Sequence, residues 1–570
     1  MSKENTYDAI VVGSGISGGW AAMELCKAGL KTLVLERGRD VKHIVDYKTM
    51  NKDVWDFKNG GHPTKEEVEK DYPVQHRTGY TTREGHRHLF VKDSEHPFKE
   101  KSRFDWIRGY HKGGRSLMWG RQVYRWSNLD FEANAKDDVA IDWPIRYEDI
   151  KPWYDKVELF IGISGQKEGL PHLPDGQFMK PMDLNCIEQH MREELAEKYD
   201  DGRILTIGRT AHLTEDLTHD ETPMRGKCQY RNRCMRGCPH GAYFSSQSST
   251  LYVAEQTGNM TLRPNSVVQS VIYDDDKGKA TGVRIMDAET KETIEYSAKI
   301  IFLNASTIAS ASIMLNSKSE RFPNGLGNDS GELGHNIMDH HFQVGASGTH
   351  EGFKDKYYFG NRANGVYVPR FVNLNAATKR DYLRGFGYQG GGSRESWQRG
   401  TGIEGIGVDL KKAVQEPGKW RMGLHGFGEC LPYHDNFMKL NEAEKDQWGM
   451  PIIEIDAVFR ENEDKMRVDM KDEAAEMLER AGFKDAEGWE NKDRYAVGLG
   501  IHEMGTARMG NDPKTSVLNK YNQVHGAENV FVTDGACMTS AGCQNPSITY
   551  MALTARAVDH AVKELNKQNL

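Results

Sequence analysis

Three groups of residues in this chain have types and spacings that could do chemistry. The first is Gly13-x-Gly15-x-x-Gly18, with Glu36 standing 23 positions after Gly13. Glycines so spaced permit a tight turn, a close approach of backbone to a pyrophosphate and close helix–strand packing. An acidic residue at that distance can accept a hydrogen bond from a ribose hydroxyl. The second group is Cys228, Cys234 and Cys238, a C-x5-C-x3-C cluster followed by Pro239 in a chain with eight cysteines. Zinc would need a fourth ligand; His240 is close in sequence, but the spacing is not a usual zinc pattern. A disulfide would leave one thiol over. Three thiolates in a short loop ending in Cys-Pro suit a three-iron cluster, and inert packed thiols are the remaining reading. The third group is His502 with Asn545. A histidine titrates near neutral pH and can take a proton from a hydroxyl. An asparagine amide can hold the same hydroxyl and stabilise developing alkoxide without titrating. Taken alone, His502 reads equally as a satisfied structural histidine.

The elements around these residues follow from periodicity. AIVVG (Ala9–Gly13) is a continuous apolar run, as in a buried parallel strand, and KTLVLE ends a second one at Glu36. WAAMELCKAG between them has helical spacing and ends at Gly29, a C-cap residue type. This predicts a βαβ unit for a dinucleotide. Near the other end, SITYMALTARAVDHAV (Ser547–Val562) predicts a last helix opened by Asn545-Pro546. NGVYVPRFVNL (Asn364–Leu374) and MPIIEIDAVF (Met450–Phe459) alternate as in an antiparallel sheet. Glycines and aromatics recur in YFGNRANGVYV and GFGYQGGGSRESW.

Bulk properties bound the function. At 570 residues, with 38% hydrophobic and 28% charged residues, the chain can form a large core and more than one domain. A net charge of −8 and no basic stripe argue against nucleic acid. No apolar run reaches the roughly 18 to 20 residues that span a bilayer. The N-terminal stretch enters a strand pattern without the marks of a signal peptide. The expectation is a cytoplasmic protein, or a periplasmic one if a partner subunit carries the export signal. Cys26, Cys186, Cys430, Cys537 and Cys543 are scattered and read as ordinary thiols.

The chain resembles the glucose–methanol–choline (GMC) oxidoreductases. The likeness rests on His502 before the Gly505–Gly510 turn, Val532–Ala536, and Asn545-Pro546, 43 positions after His502. His111–Trp126 is similar to the family's flavin-covering loop, and Leu333–His341 to its G-x-N-[LM]-x-D-H turn. Ala298–Leu315 is similar to its strand–helix, with Asn304-Ala305-Ser306 where the family reads A-A-G-A. The resemblance implies an α/β Rossmann-like FAD domain (1–165, 226–341 and 500–570). It also implies an α+β cap with an antiparallel sheet that holds the substrate (166–225 and 342–499). It implies His502 as base and Asn545 as its partner. The implied FAD contacts are Gly13, Gly15, Ser17, Gly18, Glu36 and Arg37; Gly113, Gly114, Ser116 and Met118; Val268, beside Val267; Asp534 and Gly535; and Asn545, Pro546 and Ser547. FAD is expected to be non-covalent, because Leu117 and Met118 hold the places where some relatives carry a bonding histidine, and His111 lies before the glycines. His340, His341 and His525 are expected to be structural or surface residues.

The pattern is similar to bacterial sugar dehydrogenase subunits, including glucoside 3-dehydrogenases. That implies oxidation of a ring hydroxyl to a ketone, with C3 a candidate. Cys234–Ala242 is similar to the cluster loop of membrane-linked FAD glucose dehydrogenases, which implies a [3Fe–4S] cluster, an external acceptor such as a cytochrome or quinone, and a small accessory subunit. Two alternatives stand beside this reading: an oxygen-using oxidase without a cluster, and a non-catalytic flavin-binding subunit.

Overall fold

The computed structural model describes residues 5–357, 360 and 362–570. Tyr358, Phe359 and Asn361, in the YFGNRANGVYV stretch, lie outside the described residues. Two six-stranded sheets organise the rest. The first runs in the order Gln523–Val524, Ala527–Val532, Ile300–Leu303, Ala9–Val12, Thr32–Leu35, Met260–Arg263. The five strands from Ala527–Val532 onward pair in parallel. Ala9–Val12, Thr32–Leu35 and Ile300–Leu303 are buried at every position, which is why they read as unbroken apolar runs. The helix Ile16–Lys27 follows the first strand and packs beside the last helix, Ser547–Asn566. Its Trp20 is fully buried and meets Phe160 edge-on at 5.3 Å.

The second sheet is antiparallel, in the order Lys484–Glu490, Val344–His350, Trp420–Gly428, Phe386–Arg394, Val366–Val368, Thr206–Ile207. The helix Glu461–Arg480 covers one face, where Met466, Met470, Ala474 and Met477 meet Phe386, Tyr388, Met422 and Leu424 in a separate core. Alternation along the strands turns Gln389 and Phe427 to the other face, toward the first sheet. The MPIIEIDAVF stretch does pair antiparallel, but with Phe437–Lys445 in a three-stranded sheet apart from the six-stranded one. Among the described residues, no helix is long and apolar enough to cross a membrane.

Candidate active site

One cavity of about 530 Å³ runs between the two sheets, from Glu36 and Arg37 at one end to His502 and Asn545 at the other. Its first end is built by the Gly13–Gly18 turn. A Cβ at Gly18 would lie 1.9 Å from the Gly13 carbonyl oxygen, so the helix can sit this close to the strand only through glycine. A Cβ at Gly15 would meet nothing within 4 Å, which leaves its backbone open to the cavity. Gly15 caps the helix without a side-chain bond, so its first amides remain available to an anionic group. Glu36 is buried and accepts from the Ser14 and Gly38 amides at 3.2 and 2.9 Å. Burial raises its pKa.

The sequence-derived residues Gly13, Gly15, Ser17, Glu36, Arg37, Gly114, Ser116, Met118, Val267, Val268, Asp534, Gly535, Asn545 and Ser547 all line this cavity. Gly18, Gly113 and Pro546 stand outside the lining residues and shape the turns behind it. Leu117 faces away, into a small core with Tyr47 and Leu89. The cavity's chemistry fits a dinucleotide: a glycine turn and uncapped helix at one end, a buried acid beside them, and the buried, unpartnered Asn304 Nδ2 and Tyr550 hydroxyl on its wall. Asp534 fixes the strand end behind that wall by accepting from the Ser306 and Ala536 amides at 2.9 Å. Burial pushes its pKa up to about 6. Ser306, where the resembling family carries glycine, has φ +85° and ψ 160°, a region that disfavours any Cβ.

At the other end, His502 and Asn545 come together. Asn545 Nδ2 donates toward His502 Nε2 at 3.4 Å. The loop carrying His502 is held by a buried carboxylate: Asp339 accepts from the amides of His340, Gly498, Gly500 and His502 at 2.8 to 3.0 Å. Burial, and then Glu503, raises its pKa to about 8 against those donors. Gly505 is required beneath it, since its Cβ would lie 2.0 Å from the Asn336 carbonyl oxygen. Thus the D-H-H turn and the His502 turn are packed on each other.

His340, expected to be structural or surface, is buried behind the cavity lining and orients His502: its Nδ1 lies 2.8 Å from His502 Nδ1, and its Nε2 bonds the Gly542 carbonyl oxygen. A carbonyl can only accept, so His340 carries its proton on Nε2 and offers a bare Nδ1. His502 must then carry its proton on Nδ1, and its Nε2 lone pair is free to accept one. Burial first, then His340 and Arg115, pushes the His502 pKa well below the ordinary value. His340 is itself lowered to about 4 by burial. His341 and His525 lie outside the cavity lining; His341 is buried against Phe459, and His525 bonds Ser516. Sequence reasoning also missed Arg115, whose Nη2 donates to Glu503 at 2.9 Å on the cavity wall, and the cavity-lining glutamines Gln122, Gln343 and Gln389. The D-H-H repeat could have signalled His340. Nothing local marks the glutamines.

Cys228, Cys234 and Cys238 converge on a second, small cavity with His240 and the buried His212. His212, rather than His240, faces a thiol: its Nε2 is 3.7 Å from Cys234 Sγ. All eight cysteines are free thiols. The donor types suit a metal or cluster. Among the described residues, however, no three His, Cys, Asp or Glu side chains form a group that could hold a metal ion. The loop packs against the Gly114–Leu117 turn of the larger cavity.

Comparisons with known proteins place the chain in a family. Family profiles described as GMC oxidoreductase match residues 7–342 and 432–554. The chain is 27% identical to 2-methyl-1,2-propanediol dehydrogenase of Mycolicibacterium austroafricanum, over 97% of this chain and 94% of that one. It is 24% identical to the fructose dehydrogenase large subunit of Gluconobacter japonicus, over the whole of both. A solved structure of an Aspergillus oryzae RIB40 formate oxidase variant shares the fold, with a TM-score of 0.61 at 13% identity over the whole of both chains.

Proposed function

The chain belongs to the GMC oxidoreductase family, whose members act on CH–OH groups with FAD, and from that premise we propose that it oxidises a secondary ring hydroxyl of a sugar or glycoside to a ketone. FAD, when bound, supplies the two-electron acceptor for the hydride. The protein's residues do the rest. His502 Nε2 takes the hydroxyl proton, because its Nδ1 is already protonated toward His340. Asn545 Nδ2 stands beside that nitrogen and can hold the same oxygen as its charge develops. The Ser547–Asn566 helix begins at the same wall with no acidic residue in its first turn and no side-chain cap, so its amides favour negative charge there. Gly13–Gly18, Glu36 and Asp534 would hold the cofactor.

The observation that carries the sugar class is the mixed wall around His502: the amides of Gln122, Gln343 and Gln389 stand among Trp119, Phe342 and Phe427. Aromatic faces with interleaved amides suit a ring bearing many hydroxyls. The name of the fructose dehydrogenase relative supports the same class, whereas that of the propanediol dehydrogenase supports a small diol. A panel of sugars, glycosides and diols with an artificial electron acceptor, with product identification, decides between them. Turnover of diols alone would refute the sugar reading, and a keto product at another carbon would refute C3.

We propose an external carrier, such as a cytochrome or quinone, as the natural acceptor. What supports it is that the two relatives above are named as dehydrogenases. The [3Fe–4S] reading of the thiol-lined cavity is tested by iron and labile-sulfide analysis of anaerobically purified protein. FAD without iron would remove it. Faster turnover with oxygen than with an artificial acceptor would favour the oxidase alternative.

A further inference from the structure

We propose that Gln389 is a positioning residue that sets which end of the Asn545 amide faces His502. The inference rests on the reading above, in which His502 Nε2 is the base. Two amide ends are available to Asn545, and only one is productive. With Nδ2 toward His502, the amide donates to the bare Nε2 and to a substrate oxygen. With Oδ1 there instead, two lone pairs oppose each other, and the protonated, inactive form of His502 is favoured.

The productive end is held by a hydrogen-bond chain that runs from Tyr124 to Asn545 and matches the direction set from the Gly542 carbonyl through His340 and His502. The buried Tyr124 hydroxyl donates to Gln122 Oε1 at 2.8 Å. This leaves Gln122 Nε2 to donate to Gln389 Oε1. Gln389 Nε2 then donates to Asn545 Oδ1 at 2.8 Å, which turns Nδ2 toward His502. Tyr124 is well placed to begin the chain. It is fully buried and stacked on Tyr367 at 4.0 Å, so its ring cannot turn freely. Burial also raises its pKa, which keeps the hydroxyl protonated. The arrangement meets the His340 side from the opposite direction. Gly542 orients His340, His340 orients His502, and Gln389 orients Asn545, so both catalytic groups present one defined end to the substrate. Gln389 reaches this position only because the antiparallel sheet turns it away from its own core.

The test is a double-mutant cycle on the FAD-loaded enzyme, using the best substrate from the panel. Gln389→Met keeps the length of the side chain and removes both amide ends. It is expected to lower kcat about tenfold, and to raise KM as well because Gln389 also lines the substrate wall. In an Asn545→Ala background the same substitution is expected to change kcat less than twofold, because there is no amide left to orient. Gln122→Met, one bond further away, is expected to lower kcat about threefold and to lose its effect in the same background. It gives the reading if Gln389→Met fails to retain FAD. Losses that multiply independently in the double mutants, or an unchanged kcat in both single mutants, would overturn the proposal. A parent enzyme that oxidises no hydroxyl substrate would sink this inference together with the function it rests on. An active parent with independent losses would sink the inference alone.

Discussion

Replacing His340 tests the proposal that His502 acts as a base. His340→Leu fills most of the imidazole's space and leaves no acceptor for the His502 Nδ1 proton, which His340 Nδ1 meets at 2.8 Å. Losing that bond removes about 0.5–1.5 kcal/mol, and leaving a buried donor unpaired costs about 1–3 kcal/mol. Taking about 1.4–2.8 kcal/mol as the loss from the productive tautomer, kcat should fall about ten- to a hundredfold. His340→Asn is the control, since an amide oxygen can stand near the place of the lost Nδ1. It should stay within about threefold of the parent. Both variants lose the bond to the Gly542 carbonyl, so that contact cancels in the comparison. The assay is steady-state turnover with an artificial acceptor, normalised to bound FAD by its visible absorbance. Equal kcat for His340→Leu and the parent, at equal FAD content, would refute the tautomer argument.

Four further outcomes follow from the same geometry. His502→Ala should lower kcat by about 10²–10⁴ while FAD stays bound, as measured by turnover and absorbance; retained activity would remove His502 as base. The lowered His502 pKa keeps the base form present below its ordinary value, so the acid limb of kcat/KM should lie below pH 6.5, and a limb at or above 6.5 would contradict it. Ser306→Gly should raise the thermal unfolding temperature, because it relieves a backbone at φ +85° and should gain about 1 kcal/mol; a fall would show that the Ser306 side chain matters more than the strain. Gly18→Ala should abolish FAD retention through its 1.9 Å clash with the Gly13 carbonyl, which purification with excess FAD and absorbance will check.

Much of the first sheet was legible because its strands are buried on both faces and therefore spell continuous apolar runs. The glycine turn was legible because it depends on a local backbone shape that few residues permit, Glu36 from its spacing to that turn, and His502 and Asn545 through the resemblance to the family's C-terminal pattern. The cap was less so. MPIIEIDAVF alternates as an antiparallel strand should, but alternation does not say which sheet it joins. Ser306 departs from the expected glycine, and only the fold shows that the positive φ was kept. The D-H-H repeat marks His340, but only the fold shows that it faces His502, 162 positions away.

By itself the sequence marked a dinucleotide turn and a thiol-rich loop, since these follow from residue type and short spacing, while the resemblance to the family singled out His502 and Asn545. The tertiary structure decided their direction. Which nitrogen of His502 is bare depends on a carbonyl at Gly542, and which end of Asn545 faces it depends on a strand 156 positions away in sequence. The choice of His212 over His240 beside the thiols was made the same way. At His502 hydrogen-bond polarity is set by the carbonyl at the far end of its chain of contacts, and the groups of both chains meet only when the two sheets close on one cavity.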